Sequence, residues 1–510
     1  MFENSTVKLV DLCAEVSYGY TASAKDEKVG PKFLRITDIQ GGEVDWNNVP
    51  YCEVDEKNLA KNKLENGDIV VARTGNSTGE NYLFESNEEA VFASYLIKFR
   101  IDPELANPYF VWLQMRTQAW WNYVAGSKSG SAQAGANAKV LGQFEFFLPV
   151  RNIQDKAAEI IFGINRKLAL NRQTNQTLEH IAQTIFKSWF VDFEPTRAKI
   201  AAKQIAQARH DSERSAALRE ALLADDRWPE AVATAIAEGD PERAAMAAIS
   251  GKSLDELDQL DVQGRTNAAG AGSAGAASPE QQTQLLTTAA LFPDALVDSE
   301  LGEIPEGWDN FKMVDLVKHL KPGTNYQPKR QVSGIPFVNG KHVQSGFLDF
   351  TKEVKYITQE EYERVHKKWR PEANDVLITR IGTLGRVGIV TEYDLPMALH
   401  YNSINIKEGV IKHPFIFFLL KSDYFQYFYH LYKKQAVQEF VTIEAVEGIQ
   451  INLPKDFIVL DEITKVFENL FLKLKENHFE INTLIKIRDT LLPKLLSGEL
   501  ELTSKGLHEI

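Results

Sequence analysis

FLRITDIQGGEVDW (33–46) and FVNGKHVQSGFLDF (337–350) are two versions of one segment, 304 positions apart. Outward from this pair, GDIVVARTG (67–75) matches NDVLITRIG (374–382) at an offset of 307, and NPYFVWLQM (107–115) matches HPFIFFLLK (413–421) at 306. LPVRNIQDKAAEI (148–160) then matches LPKDFIVLDEI (453–463) at 305. Offsets held within a few residues over such a distance identify an internal duplication. Each copy has short alternating strands, among them DIVVART (68–74) and DVLITRI (375–381), which end at Gly75 and Gly382. Apolar helices follow near 107–123 and 413–433, then a last strand, QFEFFLP or IQINLP. This mixture predicts a compact α+β domain, not a doubly wound sheet.

A long helical pattern follows each copy. In the second, Ile463, Phe467, Leu470, Leu474, Asn477, Ile481, Leu484, Arg488, Leu491 and Leu495 alternate 4,3 spacings. The equivalent first-copy positions run from Ala157, Ile161, Ile164 and Leu168 through Asn171 and Asn175 to Leu178, Ala182, Ile185 and Trp189. A sustained heptad needs a partner to cover its seam, and two helices of matching length satisfy each other most simply. Asn171 and Asn477 hold equivalent seam positions, either as buried polar groups that set helix register or as seam residues reaching solvent. Pro493 is expected to kink or end the second helix. The order is therefore a first domain (1–150), a long helix (151–195), an insertion (196–300), a second domain (301–455) and a second long helix (456–510). The insertion starts as an Ala-rich helical stretch. Asp240-Pro241 and Ser253 are helix-start signals, and GRTNAAGAGSAGAASP (264–279) has the composition of a flexible linker. It reads as a tether with surface helices, or else as a docking surface for a partner.

Composition narrows the class. The 44 % hydrophobic and 25 % charged residues exclude general disorder, and 510 residues allow roughly three domains. Two cysteines, Cys13 and Cys52, argue against a disulfide framework or a cysteine zinc site and fit a reducing cytoplasm. The start MFENSTVKLVDL lacks the pattern of a signal peptide. The longest greasy run, PFIFFLL (414–420), is far short of the ~20 residues of a spanning helix, so no membrane partner is expected. A net charge of −13 lowers the expectation of non-specific DNA binding, although residues 300–455 are balanced, with 20 basic and 19 acidic side chains.

With these pieces in place, the chain resembles the specificity (S) subunit of type I restriction–modification enzymes. The resemblance rests on PKFLRITDIQGGEVDWNNVPY (31–51), GDIVVARTGNSTGENYLF (67–84), TIFKSWFVDFEPTRAK (184–199), LFPDALVDSELGEIPEGW (291–308) and IRDTLLPKLLSGELE (487–501). It covers nearly the whole chain except the Ala-rich interior at about 200–285. It implies two target recognition domains joined by two antiparallel coiled-coil helices in a pseudo-two-fold body. Each domain would read one half of a split, asymmetric sequence in double-stranded DNA. The helices would set the spacer and dock two methyltransferase (M) subunits, and restriction (R) subunits would complete the complex. The S subunit of this family carries no chemistry, so no cofactor is expected on this chain, and S-adenosylmethionine is expected on the partner methyltransferase.

Base readout needs exposed donors and acceptors, with phosphate contacts setting register. In the first domain, TGNSTGEN (74–81) offers Thr74, Asn76, Ser77 and Thr78. GSKSGSAQAGANAK (126–139) offers Lys128, Ser129 and Lys139, with Gln133 and Asn137 as candidate readers of adenine edges. In the second, Arg380, Thr383 and Arg386 form the matching loop; Tyr326, Lys329, Arg330, Lys341 and His342 form a basic stretch; and Lys433, Lys434, Gln435 and Thr442 fall opposite 126–139. The same compositions also suit ordinary mobile loops. Arg73 and Arg380 are equivalent and could equally be paired to Asp68 and Asp375. Trp120 and Trp121 fit the core better than base stacking.

Nothing supports a catalytic or metal centre. No Pro-Pro pair exists for an amino-methyltransferase turn. GIPFVNGKH (334–342) has one residue too many for a phosphate loop, with His342 in place of the hydroxyl. The histidines lack ligand spacing. The alternative to a DNA-reading subunit is a non-catalytic repeat scaffold, an orphan relative that binds proteins without DNA specificity.

Overall fold

The computed structural model describes residues 4–127, 136–258, 279–300, 302–327, 329, 331–344, 346–435, 438–497 and 499. It divides into two units, Met1–Gln173 with Asn477–Ile510, and Thr174–Glu476.

In the first unit, Cys13–Tyr18, Leu96–Ile101, Asp68–Ala72 and Asn81–Leu83 form a sheet in that order, each strand antiparallel to its neighbour. Asp68–Ala72 is buried along its whole length, which is why its sequence is continuously apolar after the aspartate. Lys32–Leu34 runs parallel to Ala90–Phe92, and Ser5–Lys8 pairs antiparallel with Glu145–Leu148, closing the domain just before the long helix.

The second unit repeats this plan. Val317–Pro322, Ser403–Glu408, Val376–Thr379 and Val387–Ile389 lie in the same order with the same directions. Ile335–Val338 is parallel to Ala398–Leu399, and Trp308–Lys312 closes against Gln450–Pro454. Here Gly346–Leu348 and Val343–Gln344 extend the sheet to six strands. Gly42 and Gly346 hold equivalent hairpin positions with the same φ of +85°. A Cβ would lie 2.7 Å from the Arg116 guanidinium carbon at Gly42 and 2.9 Å from the Phe417 ring at Gly346, so the dihedral favours glycine at both and the packed ring adds a steric reason at Gly346. The apolar helical stretches each break in two, into Pro108–Gln114 and Gln118–Ser127, and into His413–Lys421 and Asp423–Leu431. Ser422 caps the last of these by accepting from Phe425 N.

The long helices are Arg151–Phe186 and Phe457–Leu496. Every seam residue named above is buried or half-buried. Within the first unit, Ala157 and Ile161 share a core with Leu491, Leu495 and Leu496. Within the second, Ala182 and Phe186 share one with Leu460, Ile463 and Phe467. In each case the start of one helix meets the end of the other, so the pairing is antiparallel. Asn171 and Asn477 are each 3 % exposed, and Asn171 Nδ2 donates to Glu480 Oε2 across the pair at 2.7 Å. Pro493 does not end the second helix, which continues to Leu496. The first helix, Arg151–Phe186, ends differently from the expected run to 195. A π turn at Lys187–Val191 and a left-handed Phe193 (φ 55°) turn the chain into Glu194–Gln207. Phe190 and Phe193 pack on Trp308, and Trp189 on Phe292. The motifs at 184–199 and 291–308 thus meet in one aromatic core.

The insertion is folded rather than a bare tether. Glu194–Gln207, Ser212–Leu223, Glu230–Ala237, Pro241–Ser250 and Pro279–Ala290 gather around Ala198, Ala202, Val232, Ile236, Ala244, Ala247 and Ala289. Asp240 caps Pro241–Ser250, and Ser253 and Glu256 form a reciprocal cap, as their sequences predict. The linker at 264–279 lies almost wholly outside the described residues.

Candidate nucleic-acid interface

The loop after the central strand is built alike in both domains. Arg73 N donates to Tyr95 O and Ala136 N to Arg73 O; in the second copy Arg380 N donates to Asn402 O and Val441 N to Arg380 O. Two sequence-distant polar segments are thereby brought side by side, 74–79 with 136–139 and 380–386 with 433–435 and 438–442. Gly382 N also donates to Glu439 O at 3.3 Å.

The arginines are not paired to the strand aspartates. Arg73 Nε donates to Ser94 O at 3.0 Å and Arg380 Nε to Val441 O at 2.9 Å. Asp68 instead holds Arg100 through two bonds of 2.7 and 2.8 Å, and Asp375 accepts from Asn405 at 2.9 Å. Arg380 is therefore half-buried and braces the loop through its Nε, in place of the pairing to Asp375 that its sequence also allowed.

In the first domain Asn76 is exposed, and Thr74 and Ser77 are half-buried. Thr78 is buried, and its hydroxyl donates to Gly75 O at 2.7 Å, closing the turn; it is unavailable to a base. Asn137 caps Ala138–Leu141 through a bond from Val140 N, and Lys139 is exposed. Lys128, Ser129 and Gln133 lie outside the described residues. Trp120 is fully buried and donates to Gly79 O, as a core residue.

In the second domain Thr383, Arg386, Lys433, Lys434 and Gln435 are exposed together, with Lys433 paired to Glu439 at 2.9 Å. Thr442 caps Ile443–Glu447 by accepting from Ala445 N, the same task as Asn137. Both cap residues hold a helix end through the side-chain oxygen. Gln426 Nε2 donates to Gly385 O, holding the loop against Asp423–Leu431. Among the basic stretch, Lys329 and Lys341 are exposed, whereas Arg330 lies outside the described residues. Gly340 N donates to Asn402 Oδ1 at 3.2 Å, which brings Lys341 towards the Arg380 loop. His342 is fully buried, with Nδ1 accepting from Asn339 N, and burial lowers its pKa; a neutral structural histidine replaces the expected DNA contact. The Tyr326 hydroxyl donates to Glu361 and Arg364 lies over its ring at 4.4 Å, so this residue is tied down too.

Sequence reasoning missed an apolar component. Tyr427 (65 % exposed), Leu431 and Tyr432 project beside Lys433. Their only sequence signal is aromatic residues at helical spacing on a helix end. The arrangement offers exposed amide and hydroxyl groups for base edges, cations for phosphates and apolar surface for thymine methyls or sugars. Among the described residues no helix is long and apolar enough to cross a membrane, and no cluster could hold a metal ion.

The sequence profile of the type I restriction modification DNA specificity domain matches residues 3–180 and again 305–487, the two copies each with most of its helix. The chain is 28 % identical over 489 residues to the type I restriction enzyme HindI specificity subunit of Haemophilus influenzae, spanning 92 % of this chain and 95 % of that one. It is 29 % identical over 206 residues to the MjaIX specificity subunit of Methanocaldococcus jannaschii, spanning 39 % and 45 %. The crystal structure of a type I S subunit from M. genitalium shares the fold, with a TM-score of 0.51 at 13 % identity, over 98 % of this chain and 96 % of that one. With the duplicated sheets, the paired helices and both profile matches in register, the chain belongs to the type I restriction–modification DNA specificity subunits.

Proposed function

We propose that each duplicated domain reads one half of a bipartite, asymmetric sequence in double-stranded DNA through the major groove. The paired helices set the spacer and dock two methyltransferase subunits, which carry S-adenosylmethionine, and restriction subunits join that core in the cytoplasm. The observation that carries this reading is the repeated placement of a polar loop with exposed residues after the third strand of the four-strand order that the two sheets share. A target read in two short parts needs rigid separation. Helices of 36 and 40 residues are about 54 and 60 Å long, more than the ~34 Å of one duplex turn. Leu170, Leu472 and Ile487 are exposed apolar residues on these helices, suited to further helices from a partner.

The test is an exchange of residues 1–150 for another recognition domain, followed by mapping of methylated positions in the genome. One half of the methylated sequence changes and the other stays. Change in both halves, or uniform salt-labile binding to every duplex, overturns the reading in favour of a scaffold.

A further inference from the structure

At the end of the second domain's sheet opposite the Arg380 loop lies a pocket of about 350 Å³ lined by Lys318, His319, Lys367, Lys368, Arg370 and Lys407, with His366, Trp369 and Glu372. Its position follows from the register: Thr379, beside the loop, pairs with Ser403, whereas Val376 pairs with Ile406, next to Lys407. Arg370 is paired to Glu363 at 2.9 Å and Lys407 to Glu372. Lys318, Lys367 and Lys368 are exposed, and among the described residues no carboxylate pairs with any of them.

The corresponding end of the first domain differs in two separable ways. From Asn62, the end of its helix, to Asp68 is six residues; from Val365 to Asp375 is ten. The four extra residues lie in the loop that carries Lys367, Lys368, Trp369 and Arg370. Charge also differs at matched strand positions. Opposite Arg100, the counterpart of Lys407, stands Glu15 where the second domain has His319. Arg100 is held by Asp68 at 2.7 Å and Glu65 at 3.1 Å, and Lys98 by Glu15 at 3.1 Å. The first domain therefore neutralises its own cations, whereas the second pairs Arg370 and Lys407 but leaves Lys318, Lys367 and Lys368 without an ion pair among the described residues. His319 registers that field: burial, then Lys321, Lys407 and Lys318, lower its pKa.

We infer that this pocket is a phosphate-binding site confined to the second domain, occupied by backbone phosphates of the duplex beyond the contacts of the Arg380 loop. Uncompensated lysines from a strand and a loop, around a cavity large enough for a phosphodiester, match a compact dianionic or monoanionic oxygen cluster. Lysine suits backbone contact because it binds phosphate as a point charge without reading bases. The site makes the footprint lopsided, longer on the side of the second half-site. This rests on the DNA-recognition reading above.

The test uses the chain in complex with its methyltransferase partner and a duplex of about 60 base pairs carrying the methylated target. Lys367→Glu with Lys368→Glu lies on an exposed loop and spares the core. Because each phosphate contact contributes about 0.9 to the slope of log affinity against log salt, the double variant is expected to flatten that slope by about 2 while keeping target selectivity. Lys57→Glu with Lys61→Glu, on the exposed helix of the first domain, leaves the slope unchanged. A second arm titrates inorganic phosphate and follows the thermal midpoint of the complex; stabilisation lost only in the Lys367/Lys368 variant assigns the site to free phosphate instead of DNA. An unchanged slope with unchanged phosphate stabilisation overturns the site altogether. Failure of the DNA-recognition reading looks different, since the unaltered complex would then show no preferred sequence, while the slope comparison stays readable on any duplex.

Discussion

Lengthening both long helices by one heptad tests the spacer role directly. The first domain's core reaches along the helices only as far as Ala157, Ile161 and Phe162 on one and Leu491, Leu492 and Leu495 on the other. The second domain's core takes Leu178, Ala182 and Phe186 with Leu460 to Leu474. Insertion between Leu168 and Asn175 and between Asn477 and Leu484 therefore falls outside both cores. Seven residues add ~10.5 Å at 1.5 Å per residue, equivalent to about 3 base pairs at 3.4 Å each. They turn the following seam by only ~20° from two full turns, so the hydrophobic stripe stays closed. Methylation mapping of cells carrying the extended chain is expected to show both half-sites unchanged and the spacer longer by about 3 base pairs. Four residues inserted at the same two places rotate the seam by ~40° and are expected to lower the thermal midpoint without giving a defined new spacer. An extended chain that still assembles and methylates the original spacer refutes the ruler.

Phe190→Ala removes a side chain only 3 % exposed that packs on Phe186, Trp308, Phe415 and Phe467. A loss of about 3–5 kcal/mol is expected in denaturant unfolding, and a loss below about 1 kcal/mol contradicts the aromatic core as the anchor of the second domain. On the second helix, burial pushes the His478 imidazole down to about 4. A histidine whose folded pKa is depressed stabilises the neutral form, so its contribution is full above the unfolded value near 6.5 and is lost as pH falls towards 4. The thermal midpoint of His478→Gln should fall less than that of the unaltered chain between those pH values; parallel curves contradict the assignment.

Much of the scaffold was legible because it is written in periodicities. The 4,3 spacing picked out twenty seam residues, none of which the structure leaves exposed, since a helix needing a partner must place an apolar group every three to four positions. The repeat offsets likewise announced two sheets of one order. The insertion was legible as helices but not as a packed body. Its core is mostly alanine, whose small side chain contributes little to any apolar stripe, so the contact of Ala198 and Ala202 with Ala244 and Ala247 leaves almost no pattern. The interface was least legible. Thr78 and His342 have the composition of DNA-contacting residues, yet one closes a turn and the other is buried with a partner on each ring nitrogen. Polar type alone does not distinguish a side chain satisfied by its own backbone from one left for a ligand.

Comparison of the two copies makes that distinction where a single copy does not. Groups that serve the fold recur with the same partners: Arg73 and Arg380 each donate Nε to a backbone carbonyl, Asn137 and Thr442 each cap the following helix, and Gly42 and Gly346 share one dihedral. A duplicated scaffold must keep these, because both copies face the same internal geometry. Two domains that read different half-sites have no such reason to match where they meet DNA. Asn76 against Thr383, Lys139 against Glu444, and the self-neutralised Arg100 cluster against the open lysines around Lys407 are the places where the copies part. An exposed position that differs between copies while its backbone setting is retained is therefore the better candidate for specificity. By that criterion, the exposed side chains of Asn76 and Arg386 outrank the braced Arg380 and the capping Asn137.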